Sequence, residues 1–339
     1  MRHLRPNYSR IRNRWQTRRV VSNVNSSPAG SRTDWLLFLA LGFMWGSSYL
    51  FIKIGVEADL APFTLIMARL FIGFLLLAAV VVAARETLPR SPRIYGHLAV
   101  MAIINIVVPF SLITWAERST ESALAATLNA PVPLFVVLIA AVFLQDERLS
   151  ASKLAGVALG LVGVAVLVGF DPASVGRNDL RAELALIGSA VSYAVGAVYT
   201  RKFVRGLRPM IPAVFQVGLA LLMVTALALV FENPLAAPVT ASTVIAVVWL
   251  GLFGSGLAYL VYFRLLGRWG ASRTALVAYL LPVWGIALGF LVLGEPIHAS
   301  LLVGTALVIA GIALVNREST LALARFAGVR LKLVPPSTD

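Results

Sequence analysis

Polar and ring-bearing side chains draw notice in this chain because so little around them is polar. Trp45, Ser47, Ser48, Asn105, Asn129, Ser192, Tyr193, Ser255, Tyr259, Tyr279 and Trp284 each interrupt a long apolar stretch. Arg69 is the only basic residue set well inside one. These side chains suit reversible recognition, through hydrogen bonds, ring contacts and, for a guanidinium, a forked grip on a carboxylate. Groups for bond-making chemistry are missing. There is no Cys, and the three His (His3, His97 and His298) lie far apart with no HExxH spacing. Neither a GxSxG elbow nor a phosphate-cradling GxxxxGK[ST] loop occurs. All fifteen Asp and Glu fall in tails, loops or helix ends, so no paired carboxylates are set at depth for acid–base work. The expectation is therefore no catalytic residue, no metal site and no cofactor.

The elements that must position these residues are membrane spans. Of 339 residues, 59% are hydrophobic and 13% charged, about half the charge of an ordinary soluble domain. Apolar runs of about twenty residues, each able to cross a hydrocarbon core about 30 Å thick, recur at 35–54, 62–84, 94–115, 121–144, 151–170, 183–203, 212–231, 243–265, 272–294 and 299–316. The connections are short and hold Pro, as at Ala61-Pro62 and Asn233-Pro234. The fold class is all-α integral membrane, with ten transmembrane helices. Residues 1–34 form a basic tail with eight Arg, read as disordered, and 317–339 a short basic C-terminal tail. With both tails on the cytoplasmic side, 24 of the 29 Lys and Arg face inward, four face outward, and Arg69 lies within a span. That bias predicts the orientation and accounts for the +14 net charge through anionic lipid headgroups, with no nucleic-acid partner. The expected site is the inner (plasma) membrane.

A shift of 148 residues lays part of the chain on itself. Glu147 falls on Glu295, Ser152 on Ser300, Gly156 on Gly304 and Gly163 on Gly311, and nine of 21 positions from Glu147 are identical. The register reaches back to Trp45 on Tyr193 and Lys53 on Arg201. Five spans per unit is an odd number, so the second unit (183–316) crosses in the opposite sense to the first (35–170). Such inverted repeats place a substrate site between the halves and work by alternating access.

The chain resembles the drug/metabolite transporter superfamily of the EamA type. The resemblance rests on Trp45-Gly46-Ser47-Ser48 with Lys53, on Arg69, on Pro131-Val132-Pro133 and Asp146-Glu147-Arg148-Leu149, and on Gly254-Ser255-Gly256-Leu257-Ala258-Tyr259, Pro282-Val283 and Gly294-Glu295-Pro296 in the second unit. No one of these motifs is specific, but their order at repeat spacing is. It implies a ten-helix carrier of small metabolites, often an exporter of amino acids or related compounds, embedded in lipid and open to forming a homodimer. A cavity lined by the first, third, fourth, sixth, eighth and ninth spans is expected, with Trp45, Ser48, Arg69, Asn105, Asn129, Tyr193, Tyr259, Tyr279 and Trp284 as its substrate-binding residues.

Three expectations concern single features. Arg69 either snorkels to the headgroups or anchors a substrate carboxylate or facing carbonyls. Glu147 and Glu295 each precede a helix and are read as structural caps. Paired glycines, Gly156 with Gly160 among them, mark close helix contacts, or a dimer face on the fifth and tenth spans. The nearest acids to the membrane interior are boundary residues, Glu117 and Glu121. Coupling through a deep carboxylate is therefore not expected.

Overall fold

The protein is described from a computed structural model, which covers residues 31–144, 149–169, 179–204, 207–208 and 210–317. Most of both tails, and Glu147 with its capping expectation, lie outside the described residues. Ten helices run in order: α1 Arg32–Glu57, α2 Pro62–Ala83, α3 Pro92–Ala116, α4 Ser122–Phe143, α5 Ala151–Gly169, α6 Leu180–Phe203, α7 Met210–Phe231, α8 Ala241–Trp269, α9 Ala275–Leu293 and α10 Ala299–Val315. The first nine have the length and apolarity to cross a membrane, and α10 is a shorter apolar helix. Local chemistry sets their starts. Ser31 closes a capping box with Asp34, Thr240 one with Thr243, and Pro opens α2 and α3, where its missing N–H costs nothing.

The packing is two-fold symmetric between the units. α1 lies on α9 as α6 lies on α4, α2 on α8 as α7 on α3, and α3 on α6 as α8 on α1. The self-paired contacts are α2 with α7, α4 with α9 and α5 with α10. In the last pair, a Cβ added to Gly156 would strike the Gly311 carbonyl, and one added to Gly163 would strike that of Gly304. These two contacts exchange under the 148-residue shift, as a half-turn axis between antiparallel units demands. Only glycine lets the two backbones come so close. The small-residue faces of α5 and α10 are thus spent on each other within the chain, and a homodimer would need a different surface.

Irregular turns repeat as well. α3 widens into π-helical turns over Ile103–Val107 and α8 over Leu250–Leu257, and the shift carries 103–107 onto 251–255. α4 breaks around Ala130 and Pro131, and α9 opens with a tight 3-10 segment, Ala275–Tyr279. Widened and broken turns release backbone groups in the bundle interior and cluster at functional sites.

Candidate functional site

Arg69 lies on α2, and its side chain turns inward, 3% exposed. Of the two readings the sequence left open, the geometry excludes snorkelling. Nε donates to Ser255 Oγ at 3.2 Å, and Cζ sits 4.3 Å over the Phe110 ring. Among the described residues no carboxylate lies within ion-pair distance of Arg69. Ser255 reaches it because α8 approaches α2 through glycines: a Cβ on Gly251 would strike Ile72, one on Gly254 would press on Ser48 Oγ and Arg69 Nη2, and one on Gly256 would strike Leu76. The π turns of α8 and its GLFGSG sequence thus seat a guanidinium on the seam between the units.

Aromatic groups complete the surroundings. Tyr49, Tyr193 and Tyr259, together with Glu117, lie within electrostatic reach of Arg69. Trp45 meets Tyr259 edge to face at 6.4 Å and Tyr262 in a tilted contact at 5.5 Å. Asn129 donates from Nδ2 to Ser189 Oγ at 3.1 Å, tying α4 to α6. Of the expected cavity residues, the structure therefore gathers Trp45, Ser48, Arg69, Tyr193 and Tyr259, with Asn129 on the α4–α6 side.

Two expected residues stand elsewhere, and a third packs at the edge of the cluster. Asn105 points at α6, where a Cβ on Gly196 would overlap its amide. Its widened turn also offers the Ile104 carbonyl to Ser192 Oγ at 2.7 Å. Trp284 packs on α1 at Gly46 and meets Phe43 edge to face at 5.0 Å. Tyr279 is half-buried on α9 and packs both on the cluster that holds Tyr49 and on that of Phe38 and Leu41. Asn105 and Trp284 stand at helix contacts, because position along a helix does not fix the direction in which a side chain points.

Sequence reasoning left out Tyr49, Phe110 and Glu117. Tyr49 follows Ser48 on α1 and is one turn from Trp45, a signal that was available. Glu117 was placed at the membrane boundary. It does stand at the end of α3, as its C-cap, but it is fully buried, because the turn after α3 folds under α1. There the Glu117 carbonyl accepts a 2.9 Å bond from Lys53 Nζ. Glu295 also differs from expectation. It caps no turn of α10, whose N-cap is His298. Its carboxylate reaches across to the other unit and accepts Ser122 N–H at 2.7 Å and Ala123 N–H at 2.9 Å, the N-terminus of α4.

Two antiparallel five-helix units with a polar cluster on their seam define a multi-pass membrane transporter. The EamA-like transporter family model matches residues 34–169 and 180–317, and the chain belongs to that family. It is 30% identical over 253 residues to the inner membrane transporter YedA of Escherichia coli, covering 74% of this chain and 79% of that one. It is 22% identical over 274 residues to the Bacillus subtilis transporter YoaV, covering 81% and 93%. A solved crystal structure superposes with a TM-score of 0.61 over 87% of this chain and 99% of its own, at 24% identity, and so shares the fold.

Proposed function

We propose that the protein is a secondary carrier that exports amino acids or related carboxylate-bearing metabolites across the inner membrane by rocking of its two units, with both termini cytoplasmic. The orientation rests on the Lys and Arg bias of the connections. The substrate class rests on one observation. Arg69 has five N–H donors, yet it makes one side-chain hydrogen bond, to Ser255, and has no described carboxylate in ion-pair contact. A buried guanidinium calls for an anion, and a substrate carboxylate is the group that fits between phenol rings and a planar fork. Trp45, Tyr193 and Tyr259 then supply walls for the rest of a small zwitterionic or aromatic solute. The metabolite is the partner this reading implies, and it needs no cofactor.

Counterflow in liposomes preloaded with single L-amino acids tests the proposal. We expect accumulation of labelled substrate by the wild type. Removing one partner of a buried charge pair costs about 2–5 kcal/mol, so Arg69→Gln should weaken apparent affinity on the order of a hundredfold, and Arg69→Lys somewhat less because the fork is lost. Unchanged affinity in both variants would assign Arg69 to helix packing alone.

A further inference from the structure

Glu117 is fully buried, and neither of its carboxylate oxygens has a hydrogen-bond partner among the described residues. The groups that face it come from every element packed around it. They are Lys53 and Glu57 on α1, Arg69 on α2 and Glu295 from the α9–α10 connection, with Tyr49 of α1 close by. The hydroxyls of Thr114, Thr120 and Ser122 are buried and unpaired in the same stretch of chain. Thr114 stands one turn back on the same helix face.

An ionised carboxylate without donors is not tolerated in such a place, because desolvation outweighs the gain from cations that are near but not bonded. Burial pushes the Glu117 carboxyl well above the usual carboxylate range. Lys53 and Arg69 oppose the shift, and Glu295 and Glu57 add to it. In this conformation burial favours its proton-bound form. Arg69 shares its electrostatic neighbourhood and lacks an anion.

We propose that Glu117 is a site shared by a proton and the ammonium group of the substrate, so that the carrier exchanges one for the other. This rests on the carrier reading above. When the cytoplasmic end of the bundle, opposite Glu117, opens, the Glu117 O–H proton passes to water in the cavity and leaves a carboxylate. A zwitterionic substrate then binds by both ends, its carboxylate on Arg69 and its ammonium on Glu117. Departure of the substrate when the outer end, at Glu117, opens returns a proton from water to the same oxygen. No electrons move, and a carboxyl proton is exchanged for a cationic ammonium group, with no net change in charge at Glu117. Because the two ligands exclude each other, an inward proton gradient drives the substrate outward.

The sign of the pH dependence follows. Below the raised pKa of Glu117 the proton holds the site; above it the carboxylate is free for the ammonium. Apparent affinity for a labelled L-amino acid mixture should therefore strengthen as pH rises, by up to about tenfold per pH unit. Affinity in Glu117→Gln should not vary with pH, and N-acetylated amino acids, which lack the ammonium, should compete independently of pH in the wild type. A lumenal pH dye should report protons moving against the substrate in the wild type and no such movement in Glu117→Gln. Infrared spectroscopy supplies a readout that needs no transport. The wild type should show a protonated-carboxyl carbonyl band at neutral pH, absent in Glu117→Gln and present in Glu295→Gln. A wild-type affinity that ignores pH, or proton movement that persists in Glu117→Gln, overturns the proposal. If no amino acid is carried at all, the carrier reading fails, and absence of the infrared band overturns the proton site on its own.

Discussion

The two ends of the bundle are closed by different chemistry. At the end that holds Glu117, the second unit grips the first through carboxylates set on helix N-termini. Glu295 accepts the Ser122 and Ala123 amides of α4. Glu232 accepts the Phe63 and Thr64 amides of α2 at 2.9 and 2.7 Å, and the Thr64 hydroxyl at 2.8 Å. At the opposite end the units meet through ion pairs, Arg268 with Asp34 at 3.2 Å and Arg208 with Glu86 at 3.0 Å. The arginines there reach water, Arg208 74% and Arg268 47% exposed, while their carboxylates are covered, Glu86 14% and Asp34 1% exposed. A carboxylate on the positive end of a helix, shielded from solvent, holds a fixed geometry. An ion pair whose arginine stands in water is weakened by solvent on that side and can exchange it for water. The Glu117 end is therefore the firmly latched one, and the Asp34 end opens at lower cost.

The absence of Cys lets single introduced thiols report on each end. The largest effect is expected from Glu295→Ala. It removes two hydrogen bonds to a charged acceptor, each about 1.5–3 kcal/mol, and frees the start of α4. Labelling of a Thr120→Cys reporter, buried in the α3–α4 turn, by a water-soluble maleimide should then rise by on the order of a hundredfold. Glu232→Ala should raise the same labelling by less, roughly tenfold, because that carboxylate is only half-buried and water can take its place. The smallest effect is expected at the other end. Arg208→Ala should change labelling of a Thr274→Cys reporter by less than about threefold, as befits a pair whose arginine stands in water. If Arg208→Ala opened its end as strongly as Glu295→Ala opens the other, the two closures would be equivalent and the contrast would collapse.

Glu295 and Glu117 sharpen the same contrast within one end. Both are buried and both lie where a sequence reading sees a helix boundary. One is satisfied by two amides and works as a latch. The other has no donor, and burial pushes its carboxyl well above the usual range. Nothing in Glu117's neighbours along the chain, Ala116 and Arg118, separates it from an ordinary helix-end acid. What separates them is the fold of the turn beneath α1 and the arrival of Glu295, 178 residues away in sequence, at the Ser122 and Ala123 amides.

Much of the protein was determined by order along the chain. Spans about twenty residues long must be helices in lipid, since every backbone group needs a partner within its own segment. The 148-residue repeat with an odd number of spans made the units antiparallel. The spacing of Gly156 and Gly163 against Gly304 and Gly311 already contained the α5–α10 contact. The polar residues of the site were legible as a set, since polarity inside an apolar run is conspicuous wherever it falls. Their grouping was not. Whether Arg69 turned to the headgroups or to Ser255, whether Asn105 faced a cavity or Gly196, and whether Glu117 kept its charge all depend on rotation about each helix axis and on which helix lies opposite. Those are set by contacts between residues scores of positions apart, such as Gly251 on Ile72 and Lys53 on the Glu117 carbonyl, and only the packed tertiary structure decides them.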